Sequence, residues 1–345
     1  MMEFRYKEED LKDLKRVVVI TGPTAVGKTE LSLRIAEELG GEIVSADSLQ
    51  VYRYLDIGTA KATREEQERV PHHLIDVVDP DEEFNAGDYG TAAHLAMEEI
   101  FQNDKIPILV GGTGLYLRLL IHGLVDLPES DPEIRKNHQR IASEQGVEPL
   151  YTELQAVDEA LAKKIHPNDL IRISRGLEVY EQTGKALSAH QEEHKFKRPN
   201  YHALKLALIR PREELYNRIN LRVEKMFTHG LIEEYQSLLE RGYGRELKPM
   251  RSVGYKEVGD YLLDGKPLEE SIDEVKRRTR RYAKQQLSWF RGEPQTHWAL
   301  APLIEEKDGK SVLPPRVKTD VEEFLRGGTP RLEWAKVEPY NVSRD

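Results

Sequence analysis

The eight residues Gly22-Pro23-Thr24-Ala25-Val26-Gly27-Lys28-Thr29 constrain this chain more than any other stretch. They match G-x-x-x-x-G-K-[ST] without a mismatch, and their flanks have the texture that pattern needs. Before them, RVVVIT at 16–21 is a β-branched run of the kind that forms a buried strand. After them, Leu31, Ile35 and Leu39 recur every four residues along one helix face, and Gly40-Gly41 closes the pattern. EIVSAD at 42–47 reads as a second strand. Strand, turn, helix and strand in that order make a βαβ unit, which implies a parallel sheet with a right-handed crossover.

Such a loop grips a di- or triphosphate. Its glycines let backbone N–H groups face the phosphate, and the helix N-terminus adds partial positive charge. Lys28 supplies a cation, and the Thr29 hydroxyl is placed to coordinate Mg²⁺. Gly22, Thr24, Ala25, Val26, Gly27, Lys28 and Thr29 are therefore the candidate diphosphate-binding residues. The loop does not choose between hydrolysis, phosphoryl transfer and loss of pyrophosphate. A kinase or ATPase places an acid after a hydrophobic strand to hold Mg²⁺. Here IPILV at 106–110 runs into Gly111-Gly112-Thr113-Gly114 with no Asp, which weakens the NTPase reading.

The chain has 345 residues, enough for about two domains. From about residue 126 its texture changes to Pro- and Asp-punctuated helical patterning, with no strong strand until HALKLALI at 202–209. The expected fold is α/β: a P-loop NTPase-like parallel sheet core, residues 1–125 and 201–300, with an inserted helical domain at 126–200. After Trp298 the sequence is Pro- and charge-rich, and reads as one short helix near 318–326 in a loose tail, 301–345, of no readable role. Zero Cys removes disulfides, Cys-ligated zinc, iron–sulfur clusters and thiol nucleophiles. His72-His73 lacks acidic partners at ligand spacing, so no metal centre is read there. There is no apolar run of about 18 residues, and MMEFRYKEEDLKDLKR lacks a signal-peptide stretch. The expectation is a cytoplasmic protein without membrane contact.

Sixty-one acidic against 51 basic residues give a net charge of −10, which as a total disfavours a nucleic-acid partner. The sign that matters is local. Acids concentrate at 65–83 and 304–345, whereas KRRTRRYAKQQLSWFR at 276–291 carries seven cations and no acid, interleaved with Tyr282, Trp289 and Phe290. Cations with aromatics suit phosphate contact plus base stacking. The competing reading is a solvated basic helix face with core aromatics, and for Trp289 and Phe290 that reading is preferred.

At the tip of the second strand, Asp47 stands at the edge where parallel sheets bind ligands. It reads equally as a general base or Mg²⁺ ligand, or as an N-cap, since Asp-x-x-Gln nearly matches a capping box. Asp56 to Lys61 reads as a solvated loop rather than as one more cation for the site.

The ordered series GPTAVGKT, DSLQVYRYLDIGTAK at 47–61, GGTGLYLRLL at 111–120, IRISRGLEVYEQTGK at 171–185, LRVEKMFTHGLIEE at 221–234, RSVGYKE at 251–257 and AKQQLSWFRG at 283–292 resembles the tRNA dimethylallyltransferase family over roughly residues 16–295. The resemblance implies transfer of a dimethylallyl group from dimethylallyl diphosphate to N6 of the adenosine immediately 3′ of the anticodon, in tRNAs reading codons that begin with U. It implies release of pyrophosphate, a Mg²⁺ requirement and a monomer. It accounts for a phosphate loop without an acid after the strand, because the diphosphate is a leaving group and no water is activated. Without Cys, the zinc-finger extension of some eukaryotic relatives is excluded, leaving a bacterial type.

Residue by residue, the resemblance makes Asp47 the general base, and sets Arg222 on the diphosphate and Thr113 near the target adenosine. It implies tRNA contacts at Asp47, Ser48, Leu49, Gln50, Thr113, Arg135, Ile171, Arg172, Ile173, Ser174, Arg175, Arg251, Lys256 and Lys284. The anticodon stem-loop would then be held by both the core and the insertion. Three rival readings remain on the sequence: prenylation of free AMP or ADP, a P-loop small-molecule kinase, and an RNA-binding protein with a nucleotide switch.

Overall fold

The computed structural model describes residues 6–123, 125, 127–194, 199–307 and 310–337. The opening MMEFR, residue 124, a few positions of the 126–200 segment, and 308–309 and 338–345 of the tail lie outside the described residues. The chain divides into two compact units, Met1–His122 with Arg198–Asp345, and Gly123–Lys197.

In the first unit, the strands β1 (Arg16–Thr21), β2 (Gly41–Ser45), β3 (His72–His73), β4 (Ile106–Val110), β5 (His202–Ile209) and β6 (Thr296–Leu300) form one sheet in the order β3-β2-β4-β1-β5-β6. Every pairing is parallel, so the strands end on a common edge. Parallel neighbours need long crossovers, and helices such as Lys28–Leu39 and Ala86–Gln102 supply them. Because side chains alternate along a strand, the sheet feeds two apolar layers. Val17, Val19, Val44, Leu109 and Ile209 meet the helices Ala86–Gln102, Gly114–His122, Leu231–Glu240 and Tyr255–Asp264. Val18, Ile20, Ile43, Ile108 and Leu206 meet the helices Lys28–Leu39 and Arg212–Thr228.

The expectation of a loose tail fails. Thr296–Leu300 completes the sheet as β6 against β5. Beyond it Leu303, Leu313, Val317, Val321, Phe324, Leu332 and Ala335 are buried in the second layer. Val317, Val321 and Phe324 lie on one face of the helix Pro315–Leu325, a spacing that the surrounding charges and prolines obscured. Polar contacts pin this segment. Arg16 donates to the Phe324 carbonyl at 2.7 Å, and Asp320 accepts from the Trp334 indole N–H at 2.7 Å. The core therefore extends to about residue 335.

The second unit is helical among its described residues, with Pro132–Gln145, Glu148–Val157 and Leu170–Thr183 packed on Leu150, Leu154, Ile173 and Leu177. Glu178, fully buried there, accepts from Arg135 at 3.0 Å, Arg175 at 2.6 Å and the Asp131 N–H at 2.7 Å. Burial alone pushes its carboxyl up, but those donors win and hold it below the ordinary value.

Phe324→Ala is expected to lower stability by about 3 kcal/mol, the loss typical of a buried aromatic. Chemical denaturation followed by circular dichroism measures it, and a loose tail would instead leave the midpoint unmoved.

Candidate active site

The phosphate loop leaves β1 through Gly22, whose φ of +129° is left-handed. A Cβ on Gly22 would stand 2.6 Å from the Leu208 carbonyl oxygen of β5, so the position needs glycine twice over. Gly27 ends the loop at φ +112° and precedes the helix Lys28–Leu39, which has no side-chain cap. Its first N–H groups are left for an anion.

Cations converge on this loop. Lys28 Nζ donates to the carbonyls of Gly22 at 3.0 Å and Pro23 at 2.9 Å, folding the side chain over its own loop. Burial and then the charge of Arg222 push its pKa down to about 7, while Asp47 pulls the other way. Arg222 reaches the Thr24 hydroxyl at 3.4 Å, and burial followed by Arg218 lowers its pKa. Two further arginines are not legible from the motif. Arg218 Nε donates to the Ala25 carbonyl and Arg210 Nε to the Val26 carbonyl, both at 2.9 Å. The available signal for Arg218 was its position four residues before Arg222, on the same helix face.

Asp47 follows β2. Its Oδ1 accepts from the Leu49 N–H at 2.9 Å, a local Asx turn, and no α-helix follows, so the N-cap reading does not apply. Burial raises its pKa, opposed by the Leu49 N–H, the Lys28 charge and the Gln50 N–H. Thr113, after β4, lies alongside: its N–H donates to the Ala46 carbonyl at 3.2 Å, and its hydroxyl accepts from the Ser48 N–H at 3.1 Å. Tyr282 joins this pair. Partial desolvation and then the Asp47 charge push its phenol up to about 12, with hydrogen bonding to Gln286 and Thr113 opposing.

The other sequence candidates scatter. Ser48 and Leu49 sit in the Asp47 turn. Gln50 accepts from Ser45 at 3.0 Å and donates to the Thr59 and Ala60 carbonyls at 3.3 Å, so its amide braces the neighbouring loop. Lys61 is no solvated cation: it pairs with Asp56 and Asp76, both at 2.6 Å. Of the helical segment, Ile171 is 84 % exposed and Arg172 is also exposed, but Ile173 is fully buried and Ser174 bonds His138 at 2.9 Å inside the unit. Ile173 and Ser174 are thus packing residues rather than contact surface, because helical periodicity turns every third or fourth residue inward. Arg135 and Arg175 are engaged with Glu178. Arg251, Lys256 and Lys284 are exposed, Lys256 pairing with Asp260 at 2.7 Å.

The basic run narrows in the same way. Within the helix Leu268–Arg291, Lys276 pairs with Glu224, Arg277 with Glu274 and Arg278 with the buried Glu257. Arg281 and Lys284 stay exposed. Phe290 is core, and Trp289 packs beneath Arg118, whose guanidinium lies 4.3 Å from the ring centre. His73 does meet an acid, Glu42 at 2.6 Å, but among the described residues no three His, Asp or Glu gather as a metal cage. The donors at the site are the exposed Thr29 hydroxyl and the Asp47 carboxylate. That sparse set fits Mg²⁺, which keeps waters and substrate phosphate oxygens in its shell.

Known proteins resemble this chain in sequence and in fold. A family model described as IPP transferase matches residues 50–293, and one described as isopentenyl transferase matches 15–79. A tRNA dimethylallyltransferase 1 from Pelobacter propionicus is 51 % identical over 289 residues, covering 84 % of this chain and 94 % of that protein. A tRNA dimethylallyltransferase from Geobacter sulfurreducens is 50 % identical over 287 residues, 83 % of this chain and 92 % of that one. Among solved structures, the tRNA isopentenylpyrophosphate transferase of Bacillus halodurans superposes with a TM-score of 0.65 at 39 % identity, covering 91 % of this chain and 96 % of its own. A eukaryotic dimethylallyltransferase described as acting on tRNA gives 0.78 at 31 % identity, covering 93 % and 82 %.

The Lys28 environment sets a pH dependence. In the free protein Lys28 loses its proton near pH 7. A bound diphosphate favours the ammonium, so binding takes up a proton above that pH. Pyrophosphate affinity should then fall as pH rises past 7, by up to about tenfold per unit, and not respond through this group below it. Calorimetry at pH 8 in buffers of different ionisation enthalpy measures the uptake. Lys28→Arg, whose guanidinium stays charged, serves as the reference for pyrophosphate's own titration. Equal uptake by both proteins would show Lys28 already charged when free.

Proposed function

The chain belongs to the tRNA dimethylallyltransferase family, and from that premise we propose that it transfers a dimethylallyl group from dimethylallyl diphosphate to N6 of the adenosine 3′-adjacent to the anticodon, in tRNAs reading U-starting codons. The observation that carries this reading is a phosphate loop, its lysine folded over Gly22 and Pro23, on the same sheet edge as the half-buried carboxylate of Asp47, while β4 ends in Gly111-Gly112 without an acid. A loop so equipped suits departure of a diphosphate from carbon better than attack by water on phosphorus.

An exocyclic adenine amine is a weak nucleophile, because its lone pair is delocalised into the ring. Its protons become acidic as the new N–C bond forms. Asp47, made more basic by burial, accepts one of them. The bond from the allylic carbon to the diphosphate oxygen breaks with its electron pair on the oxygen. Lys28, Arg222 and the loop N–H groups stabilise that charge. Mg²⁺, held by Thr29 and the diphosphate oxygens, would add charge neutralisation there. Thr113 orients the acceptor side through the Ser48 turn. The adenosine must be out of its stack to reach Asp47.

In the first unit, exposed Arg251, Lys256, Arg281 and Lys284 are offered to the anticodon stem-loop; the second unit, taken by itself, exposes Ile171 and Arg172. They favour a macromolecular acceptor over free AMP. One chain holds all the site residues, so a monomer suffices, and the reaction belongs in the cytoplasm with its tRNA.

Labelled dimethylallyl diphosphate offered with tRNA or with AMP tests the proposal, with mass analysis of the tRNA nucleosides. Label appearing on AMP alone would overturn it. In Asp47→Asn the turnover number should fall by about 10²-fold or more, the range for a lost general base, while tRNA affinity stays within about threefold. Unchanged turnover would remove Asp47 from the role.

A further inference from the structure

One buried amide ties the two halves of the site together. Gln286 Oε1 accepts from the backbone N–H of Thr24 in the phosphate loop at 2.9 Å, across 262 residues of sequence. Its Nε2 donates to the carbonyl of Gly112, next to Thr113, at 3.1 Å and 174 residues away. The residue is 6 % exposed, and its side chain packs so closely on Gly112 that a Cβ there would stand 2.0 Å from Nε2. The helix bearing it does not drift, since Ala283 and Phe290 are core and Arg278 clasps the buried Glu257. One turn earlier the same helix carries Tyr282, beside Asp47 and Thr113.

We propose that Gln286 is a positioning residue that sets the separation of the diphosphate loop from the Asp47–Thr113 pocket, and with it the line of attack of the acceptor nitrogen on the donor carbon. An amide does this where another side chain of its size would not. It offers one acceptor and two donors on a planar group of fixed width, matched to an N–H on one loop and a carbonyl on the other. Reacting atoms must meet at near-contact distance, and a misplacement of about 1 Å costs on the order of 10²-fold in rate. Because neither bond is to substrate, the strut should affect turnover and leave each substrate's affinity alone.

The inference rests on the transfer reaction proposed above, so its test has one arm that needs no turnover. In Gln286→Met, of similar volume and without either bond, hydrogen exchange at the Thr24 amide should quicken at least tenfold. The turnover number with both substrates saturating should fall about 10- to 100-fold, by the misplacement argument. Dissociation constants for pyrophosphate and tRNA should stay within threefold. Gln286→Glu, which keeps the acceptor but sets a carboxylate oxygen against the Gly112 carbonyl, covers the case in which the Met variant unfolds, and should lose turnover likewise. Gly112→Ala should mimic the loss and add nothing to Gln286→Met, as coupled sites do. Wild-type exchange at Thr24, wild-type turnover in a folded variant, or a defect confined to tRNA affinity would each overturn the proposal. Failure of the unaltered protein to modify tRNA, with Thr24 exchange responding as described, would instead overturn the reaction and leave the strut.

Discussion

The Thr113 N–H donates to the Ala46 carbonyl, and two residues earlier Gly111 passes so close that a Cβ would lie 2.0 Å from that same oxygen. This contact between the tips of β2 and β4 is where the site closes. Parallel strands about 4.8 Å apart send their following loops out on one edge. The order β2-β4-β1 therefore makes neighbours of three loops that are far apart in sequence. The first brings Asp47, the second Thr113, the third Lys28. With any side chain at Gly111 the middle loop would be pushed off its neighbour, and Thr113 would lose the Ser48 turn it now holds.

The charges at this edge are arranged against one another in the free protein. Lys28, Arg218 and Arg222 crowd a small volume, and burial together with Arg222 drives Lys28 toward its neutral form. The loop carbonyls of Gly22, Pro23, Ala25 and Val26 absorb part of that positive charge. A diphosphate relieves the remaining repulsion, so part of that repulsion becomes affinity for the ligand. Asp47 is the counterweight: desolvation makes it a better proton acceptor, and Lys28 limits how far that goes.

Elsewhere the molecule uses the same residue types for support. Arg135, Arg175, Lys61, Lys276, Arg277 and Arg278 all face acids. A cationic stretch read along the chain counts every positive side chain. In the fold, many of them are met by an acid, and others, such as Arg281 and Lys284, stay exposed for a polyanion. The tail misleads for a related reason, since apolar positions at helical spacing are diluted by charges that face solvent.

Local sequence settled the strand–loop–helix of the phosphate site, the run HALKLALI as a strand, and Asp47 as a residue worth watching. Each of these depends on contacts within a few residues, namely glycine torsions, side-chain periodicity and turn hydrogen bonds. Tertiary structure alone decided that Ile173 faces inward, that Trp298 lies in a sixth strand, that Arg210 and Arg218 brace the loop, and that Gln286 joins Thr24 to Gly112. Those partners are separated by up to 262 residues, and no local preference records which of many glutamines or arginines the folded sheet will bring to its edge.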